Sequence, residues 1–216
     1  PHREAYESDL FAPLIAAHDP YESIKNAAGV IMKNKSPADS GTLLGTDSLG
    51  RDIFSRVLYA ARISMSVGLV AVGISTAVGI LLGSLAGYFG GWVDTVIMRL
   101  VDVVYCFPVL FLVIIISTVL KPSIYNVMLV IGLCNWTGTA RFVRGEILRV
   151  RELDYVKASE SLGAKDSRII LSHILPNVMA PILVEATLQM AHAILTEAAL
   201  SYLGVGVQMP IASWGN

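Results

Sequence analysis

Four polar residues follow one another along a single face of an apolar segment near the end of the chain. At spacings of i, i+4, i+7 and i+11 they are Glu185, Gln189, His192 and Thr196. An ionisable group inside a bilayer is costly, so it usually faces a bundle interior or a wet cavity. We therefore predict that this polar stripe lines a translocation path. An interhelical hydrogen-bond seam against a partner subunit is the alternative.

The depth of the stripe follows from the helical rise. Glu185 lies about 14 Å beyond Pro176 at 1.5 Å per residue, which places it within the bilayer. Glu197 lies about 32 Å beyond Pro176 and is expected near the outer surface, where an acid needs no special role.

A second candidate region is the stretch YVKASESLGAKDSRIILSHILPN, residues 155–177, which carries five charges between apolar runs. One mildly apolar stripe at helical spacing consists of Tyr155, Ala158, Ser159 and Leu162. Gly163 is typical of a left-handed helix end, and Asp166 is predicted to cap a second short helix. The sequence thus predicts a stiff helix-turn-helix joined at both ends to membrane helices.

The composition indicates what surrounds these regions. The chain is 54% hydrophobic and 15% charged, against about 25% charged residues in soluble domains. A spanning helix needs roughly 20 apolar residues, and we predict four spans in an all-α polytopic transmembrane bundle. They cover approximately residues 63–88, 96–120, 124–140 and 177–203.

Several details of the predicted spans concern packing. Small residues recur every four positions in the first span, a pattern that lets another helix approach closely; they are Ser75, Gly79, Gly83 and Gly87. Arg99 and Asp102 are expected to pair near the start of the second span, and Pro108 to bend it.

Basic residues give the orientation. Residues 141–168 contain seven Lys and Arg, whereas the link 121–123 contains one, so the positive-inside rule places 141–176 in the cytoplasm. Residues 1–62 then form an extracytoplasmic segment that ends in an amphipathic helix with an Asp52–Arg56 pair. Residues 63–216 form the transmembrane domain. Because the chain begins at Pro1, we expect a fragment of a longer protein. Four spans place both ends of the fragment outside, and the complete protein is expected to carry one further span on each side.

Other function classes find little support. The net charge is −1 and no block of five basic residues occurs, so no nucleic-acid partner is expected. The sequence contains neither a G-x-x-x-x-G-K-[ST] loop nor an H-E-x-x-H motif, and no cofactor or metal is predicted. Cys106 and Cys134 are interpreted as small buried hydrophobes. An ion-coupled carrier or passive channel remains the alternative to an ATP-driven system.

The charged stretch resembles the EAA loop, E-A-A-x-x-x-G-x(9)-I-x-L-P, of binding-protein-dependent ABC importer permeases. Lys157-Ala158-Ser159 precedes Gly163 by the family spacing, and nine residues later comes His173-Ile174-Leu175-Pro176. Lys157, Ser159 and His173 depart from the pattern. Other stretches resemble the dipeptide/oligopeptide/nickel branch in the same order: LGTDSLGRDIFSR, AGYFGGWVD, MRLVDV, ARFVRGEIL, HILPN and SYLGVGVQ.

The resemblance implies a non-catalytic permease subunit of type I-like architecture in the bacterial cytoplasmic membrane, with six spans in the whole protein. It also implies a second homologous permease, two cytoplasmic ATPase subunits, an extracytoplasmic substrate-binding protein and surrounding membrane lipid. The cargo would be a di- or oligopeptide, or nickel. The ATPase-coupling residues would be Tyr155, Lys157, Ala158, Ser159, Glu160, Ser161, Leu162 and Gly163.

Overall fold

The computed structural model describes residue 16, residues 18–120 and residues 123–216. The predictions for residues 1–15, for residue 17 and for most of the link 121–123 lie outside the described residues. The described part is a bundle of helices, which confirms the predicted all-α transmembrane class. Its helices are α1 Pro37–Ser40, α2 Ile53–Phe89, α3 Gly91–Tyr105, α4 Val109–Val119, α5 Ile124–Arg151, α6 Asp154–Ser161, α7 Asp166–Arg168 and α8 Leu175–Tyr202. A π-helical segment, Ile169–Ile174, joins α7 to α8 without interruption.

Helix α2 is one unbroken helix of 37 residues, about 55 Å long at the α-helical rise. The predicted boundary between residues 62 and 63 therefore falls inside a helix. The expected Asp52–Arg56 pair is wrong, because the Asp52 carboxylate caps the helix by accepting hydrogen bonds from the backbone of Phe54 and Ser55. The Arg56 guanidinium lies instead 3.8 Å from the carboxylate of Asp47.

The number of spans differs from the prediction of four. By length and composition, two described helices can cross a membrane, namely α2 and the continuous helix Asp166–Tyr202. A third span results if α3 and α4 are taken together, although they meet at a bend of 80° next to Pro108. The predicted third span is the first part of α5, which contains Asn126 and Asn135 and continues as helix to Arg151. These polar residues make α5 less apolar than a lipid-facing span.

The small residues predicted to form a packing ridge do so, between α2 and α5. A Cβ added to Gly79 would lie 2.5 Å from the Cβ of Thr139. One added to Gly83 would lie 2.6 Å from the carbonyl oxygen of Ala140. Because these distances are shorter than real Cβ contacts, glycine is what allows the two helices to lie this close.

The core extends along this helix pair. In the half near the start of α2, Val67, Ile131 and Leu200 join α2, α5 and α8. In the other half, Ile147, Val156 and Ile174 join α5, α6 and the π-helical segment. The short helix α6 is thus packed onto the same framework as the long helices.

The glycine ridge gives a first prediction. Gly83→Ala should destabilise the full-length protein by about 1–3 kcal/mol, because the methyl group would overlap the Ala140 carbonyl and force α2 from α5. Gly73→Ala is the matched control on the same helix, since nothing lies within 4 Å of the added Cβ. It should be neutral or stabilising by up to about 1 kcal/mol. Thermal unfolding in detergent measures both, and equal midpoints for the two variants would contradict the packing assignment.

Candidate coupling helix and polar cavity

Helix α6 is held by one buried side chain and leaves most of its surface exposed. Val156 is 1% exposed and packs with Ile169 and Ile174 of the following segment. The predicted stripe faces outward instead, with Tyr155 partly exposed and Leu162 88% exposed. The sequence prediction missed Val156 as the anchor, although Val156 is a β-branched apolar residue in a short helix whose other residues are mostly polar, which is a usable signal.

The other predicted coupling residues, which include the two further members of the stripe, are also largely accessible. Ser159 is half-buried, and the others are exposed. The exposed ones are Lys157, Ala158, Glu160, Ser161 and Gly163. Together they form one accessible face at the end of the bundle.

The turn after α6 agrees with one prediction and corrects another. Gly163 has φ +78°, the left-handed conformation predicted for the residue that follows the helix. Asp166 was expected to cap the next helix, but Lys165 occupies the N-cap position and makes no side-chain cap bond. The Asp166 carboxylate instead accepts a hydrogen bond of 2.8 Å from the Tyr88 hydroxyl at the end of α2.

Arginines on the last turns of α5 connect this region to α2 and α3. The Arg151 guanidinium donates a hydrogen bond of 2.6 Å to the Tyr88 carbonyl, which lies in the last turn of α2. Arg144 forms a bidentate ion pair with Asp94 of α3. At the start of α6, the Lys157 ammonium donates to Glu152 at 2.9 Å, and this hydrogen bond lowers the pKa of the Glu152 carboxyl. α6 is therefore linked to the ends of the long helices.

The second candidate site is a half-open cavity of about 300 Å³ between the helices. Its polar lining comes from α2, α3, α5 and α8 and includes Ser75, Tyr105, Asn135, Thr137, Gln189, His192 and Thr196. Three of the four stripe residues thus line one cavity. Glu185 is not in the lining, but its carboxylate accepts a hydrogen bond of 3.2 Å from Gln189.

Gln189 also forms a hydrogen-bonded seam between three helices. Its amide nitrogen donates to the Thr139 hydroxyl of α5 at 2.8 Å. Its amide oxygen accepts from the Ser75 hydroxyl of α2 at 3.3 Å. This seam lies within one chain, whereas the sequence alternative placed it against a partner subunit.

Glu197 is a site residue that the sequence reasoning misjudged. It was expected near the outer surface without a special role, but it is fully buried, and a buried acid needs hydrogen-bond partners. Its two carboxylate oxygens accept hydrogen bonds from Ser64 of α2 at 2.9 Å and from Ser201 at 2.7 Å. The tail beyond α8 folds back over this end of the bundle and removes Glu197 from solvent.

The two serines extend the network into that tail. The Ser64 oxygen accepts from the backbone N–H of Trp214, and the Ser201 oxygen accepts from that of Val207. The indole N–H of Trp214 donates to the Val57 carbonyl on α2. Glu197 therefore organises the polar contacts that hold residues 203–216 on the ends of α2 and α8.

The predicted Arg99–Asp102 pair is also replaced by another. The Asp102 carboxylate accepts a hydrogen bond of 2.9 Å from Arg141 of α5. The Arg141 guanidinium lies 4.6 Å from the centre of the Tyr105 ring, over its face. Within the described residues, no group of three His, Cys, Asp or Glu side chains is arranged to hold a metal ion.

Comparison with known proteins assigns this architecture. Residues 79–216 match the model of the family described as binding-protein-dependent transport system inner membrane component. The chain belongs to this family. Its apolar helices agree with an inner-membrane location.

Named relatives of this inner membrane component are peptide permeases. The oligopeptide transport system permease protein OppC of Bacillus subtilis (strain 168) is 40% identical over 96% of this chain and 66% of its own length. The dipeptide transport system permease protein DppC of the same organism is 42% identical over 83% and 56%. The chain thus spans less than two thirds of either relative.

A third relative and a solved structure complete the comparison. The probable D,D-dipeptide transport system permease protein DdpC of Escherichia coli (strain K12) is 39% identical over 95% of this chain and 67% of its own length. A crystal structure of an amino acid ABC transporter with histidines superposes with a TM-score of 0.53, at 15% identity, over 71% of this chain and 72% of its own. It supports the fold alone.

The Glu197 network gives a second prediction. Glu197→Ala should leave the hydroxyls of Ser64 and Ser201 without their acceptor and create a cavity, at a cost of about 3 kcal/mol. The tail should then loosen. The probe is Ala212→Cys, at a position 1% exposed, in full-length protein whose Cys106 and Cys134 are replaced.

Reaction of that cysteine with a water-soluble maleimide should be slow in the parent and fast after Glu197→Ala. Glu160→Ala on exposed α6 serves as the control and should leave it slow. Continued protection after Glu197→Ala would show that the tail is held by other contacts.

Proposed function

We propose that this chain is part of the transmembrane permease subunit of an ATP-driven importer that moves di- or oligopeptides across the bacterial inner membrane. The observation that carries the proposal is α6, a short helix that is anchored in the bundle core by Val156 and is followed directly by the exposed Leu162. The peptide permeases among the relatives support the cargo class. Nickel is the second candidate cargo, because the sequence resembles a branch that includes nickel permeases.

The coupling role rests on how α6 is connected. An exposed leucine such as Leu162, 88% exposed, favours burial against a partner because removing apolar surface from water is favourable. The partner we assign is a cytoplasmic ATPase subunit, which would push on a helix whose anchor lies in the same core as α5 and α8. The proposed contact residues are Tyr155, Lys157, Ala158, Ser159, Glu160, Ser161, Leu162 and Gly163.

The complete transporter would contain a second homologous permease, two ATPase subunits and an extracytoplasmic binding protein. This chain would be non-catalytic and would provide half of the path. We assign the polar stripe Glu185, Gln189, His192 and Thr196 to that path, because its last three residues share one cavity with polar groups of other helices and Glu185 is hydrogen-bonded to Gln189.

The coupling proposal is tested by crosslinking. In the assembled transporter without native cysteines, Ser161→Cys should form an ATP-dependent crosslink to the ATPase subunit with a short bifunctional thiol reagent. Ser48→Cys is the matched control, since it is also an exposed serine but lies before α2 at the opposite end of the bundle. It should give no such product. If Ser161→Cys forms no crosslink although the assembly is folded and contains the ATPase, the importer proposal loses its main support.

The path assignment has a separate test. His192→Ala should lower the transport rate of a peptide roughly fivefold, the equivalent of one lost hydrogen bond of about 1 kcal/mol. Glu185→Gln should act in the same direction by weakening the contact that orients Gln189. Leu183→Ala, half a turn around α8 from His192 and exposed, is the control and should be neutral. Unchanged rate and selectivity in both polar variants would exclude the stripe from the path.

A further inference from the structure

Two Arg–Asp pairs link α5 to α3, and they differ in how much hydrogen-bonding capacity they leave open. Arg144 uses two N–H donors on both oxygens of Asp94, which is a closed bidentate pair. Arg141 donates only one hydrogen bond, of 2.9 Å, to one oxygen of Asp102. Among contacts within the described residues, the second Asp102 oxygen accepts none. The Arg141–Asp102 pair therefore keeps donors and an acceptor available for another molecule.

The two residues of the open pair lie at the same level along the bundle. Counting from Arg151, which contacts the end of α2, Arg141 is about 15 Å along α5. Counting from Gly91 at the start of α3, Asp102 is about 16 Å along that helix. The two estimates agree, although they run along different helices. The pair is thus about three turns from the end of the bundle that carries α6.

Both side chains are 52% exposed in this chain. Arg141 follows the predicted third span and Asp102 lies near the start of the second, and charged groups at the boundary of a span usually face protein or water rather than hydrocarbon. Neither side chain is in the lining of the polar cavity, but neighbours of both are. Tyr105, whose ring lies under the Arg141 guanidinium, lines the cavity. Gly138, one turn before Arg141 on the same face of α5, lines it as well.

We propose that Asp102 and Arg141 form a contact site for the two charged ends of a zwitterionic solute, with an α-ammonium group on Asp102 and an α-carboxylate on Arg141. This inference rests on the proposed function and specifies its substrate class. When the solute binds, Asp102 and Arg141 exchange each other for the two ends of the solute. The net charge of the site stays unchanged, because both the pair and the solute are neutral overall. The planar guanidinium matches a carboxylate in bidentate geometry. The neutral groups of Asn135 and Gln189 in the adjoining cavity suit the amides between the two ends.

The test uses the complete transporter in proteoliposomes with an unchanged binding protein. The substrates are one dipeptide, its N-acetylated form and its C-terminal amide. Because the binding protein is the same throughout, any change in the ratio of rates between variants arises in the permease. Asp102→Asn should lower transport of the free dipeptide roughly tenfold while leaving the N-acetylated form unchanged, since it removes the ammonium partner. Arg141→Gln should reduce the free dipeptide but not the amide.

The closed pair provides the matched control. Asp94→Asn and Arg144→Gln, on the same two helices, should change the rates of all three substrates by one common factor. If Asp102→Asn also changes all three equally, or if the charge swap Asp102→Arg with Arg141→Asp restores the original rates, the pair is a structural link and the proposal is overturned. If Asp102→Asn does not assemble, Arg141→Lys, which keeps the charge and loses the bidentate geometry, is compared between the free dipeptide and the amide.

Failure of the underlying function is distinguishable from failure of this inference. A wild-type transporter that moves no peptide overturns the peptide importer and, with it, the zwitterion site. A wild-type transporter that moves peptides, with substrate ratios that no variant alters, overturns the zwitterion site alone.

Discussion

Close contact between α2 and α5 is the constraint on which the other features depend. Gly79 and Gly83 remove the side chains that would separate the helices, so the backbone of α5 comes within reach of α2. At this separation, Gln189 of α8 bridges Ser75 on one helix and Thr139 on the other. The same approach brings Arg151 onto the last carbonyls of α2. A wider separation would remove the cavity seam and the arginine contact together.

Polar contacts then fix the lengthwise position of the helices, which apolar packing alone leaves adjustable. Apolar side chains slide past one another at little cost, whereas a buried hydrogen bond has one geometry, and leaving its partners unmet costs about 1–3 kcal/mol. Glu197 with Ser64 and Ser201 provides this at one end of the bundle, and the exposed Tyr88–Asp166 hydrogen bond adds a weaker link at the other end. Gln189 lies between them. Side-chain hydrogen bonds at three heights along the bundle thus fix the positions of the long helices relative to one another. Apolar packing alone would not fix them.

The sequence predicted features that depend on local spacing. The glycine period on α2, the bend at Pro108 and the left-handed Gly163 each follow from a residue type at one position or a short repeat, and each is confirmed. Partner choice could not be predicted in the same way. Asp102 pairs with a residue 39 positions away and Glu197 with one 133 away, so neither partner is visible in a local window. A nearby residue of opposite charge, such as Arg99 for Asp102, is only one of many partners that become available once the chain folds.

Helix α5 is the element that joins the two candidate sites. Its first half contributes Asn135 and Gly138 to the cavity, and its last turns carry the arginines that contact α2 and α3. Val150 and Val156 lie in one core cluster, so α6 cannot move far without displacing the end of α5. A rigid helix transmits such a displacement along its length, because its backbone hydrogen bonds resist bending and its glycine face is already in close contact. If α6 is the coupling helix, force applied to it reaches the cavity wall through α5. Arg141 of the open Arg141–Asp102 pair lies on α5 between α6 and the cavity.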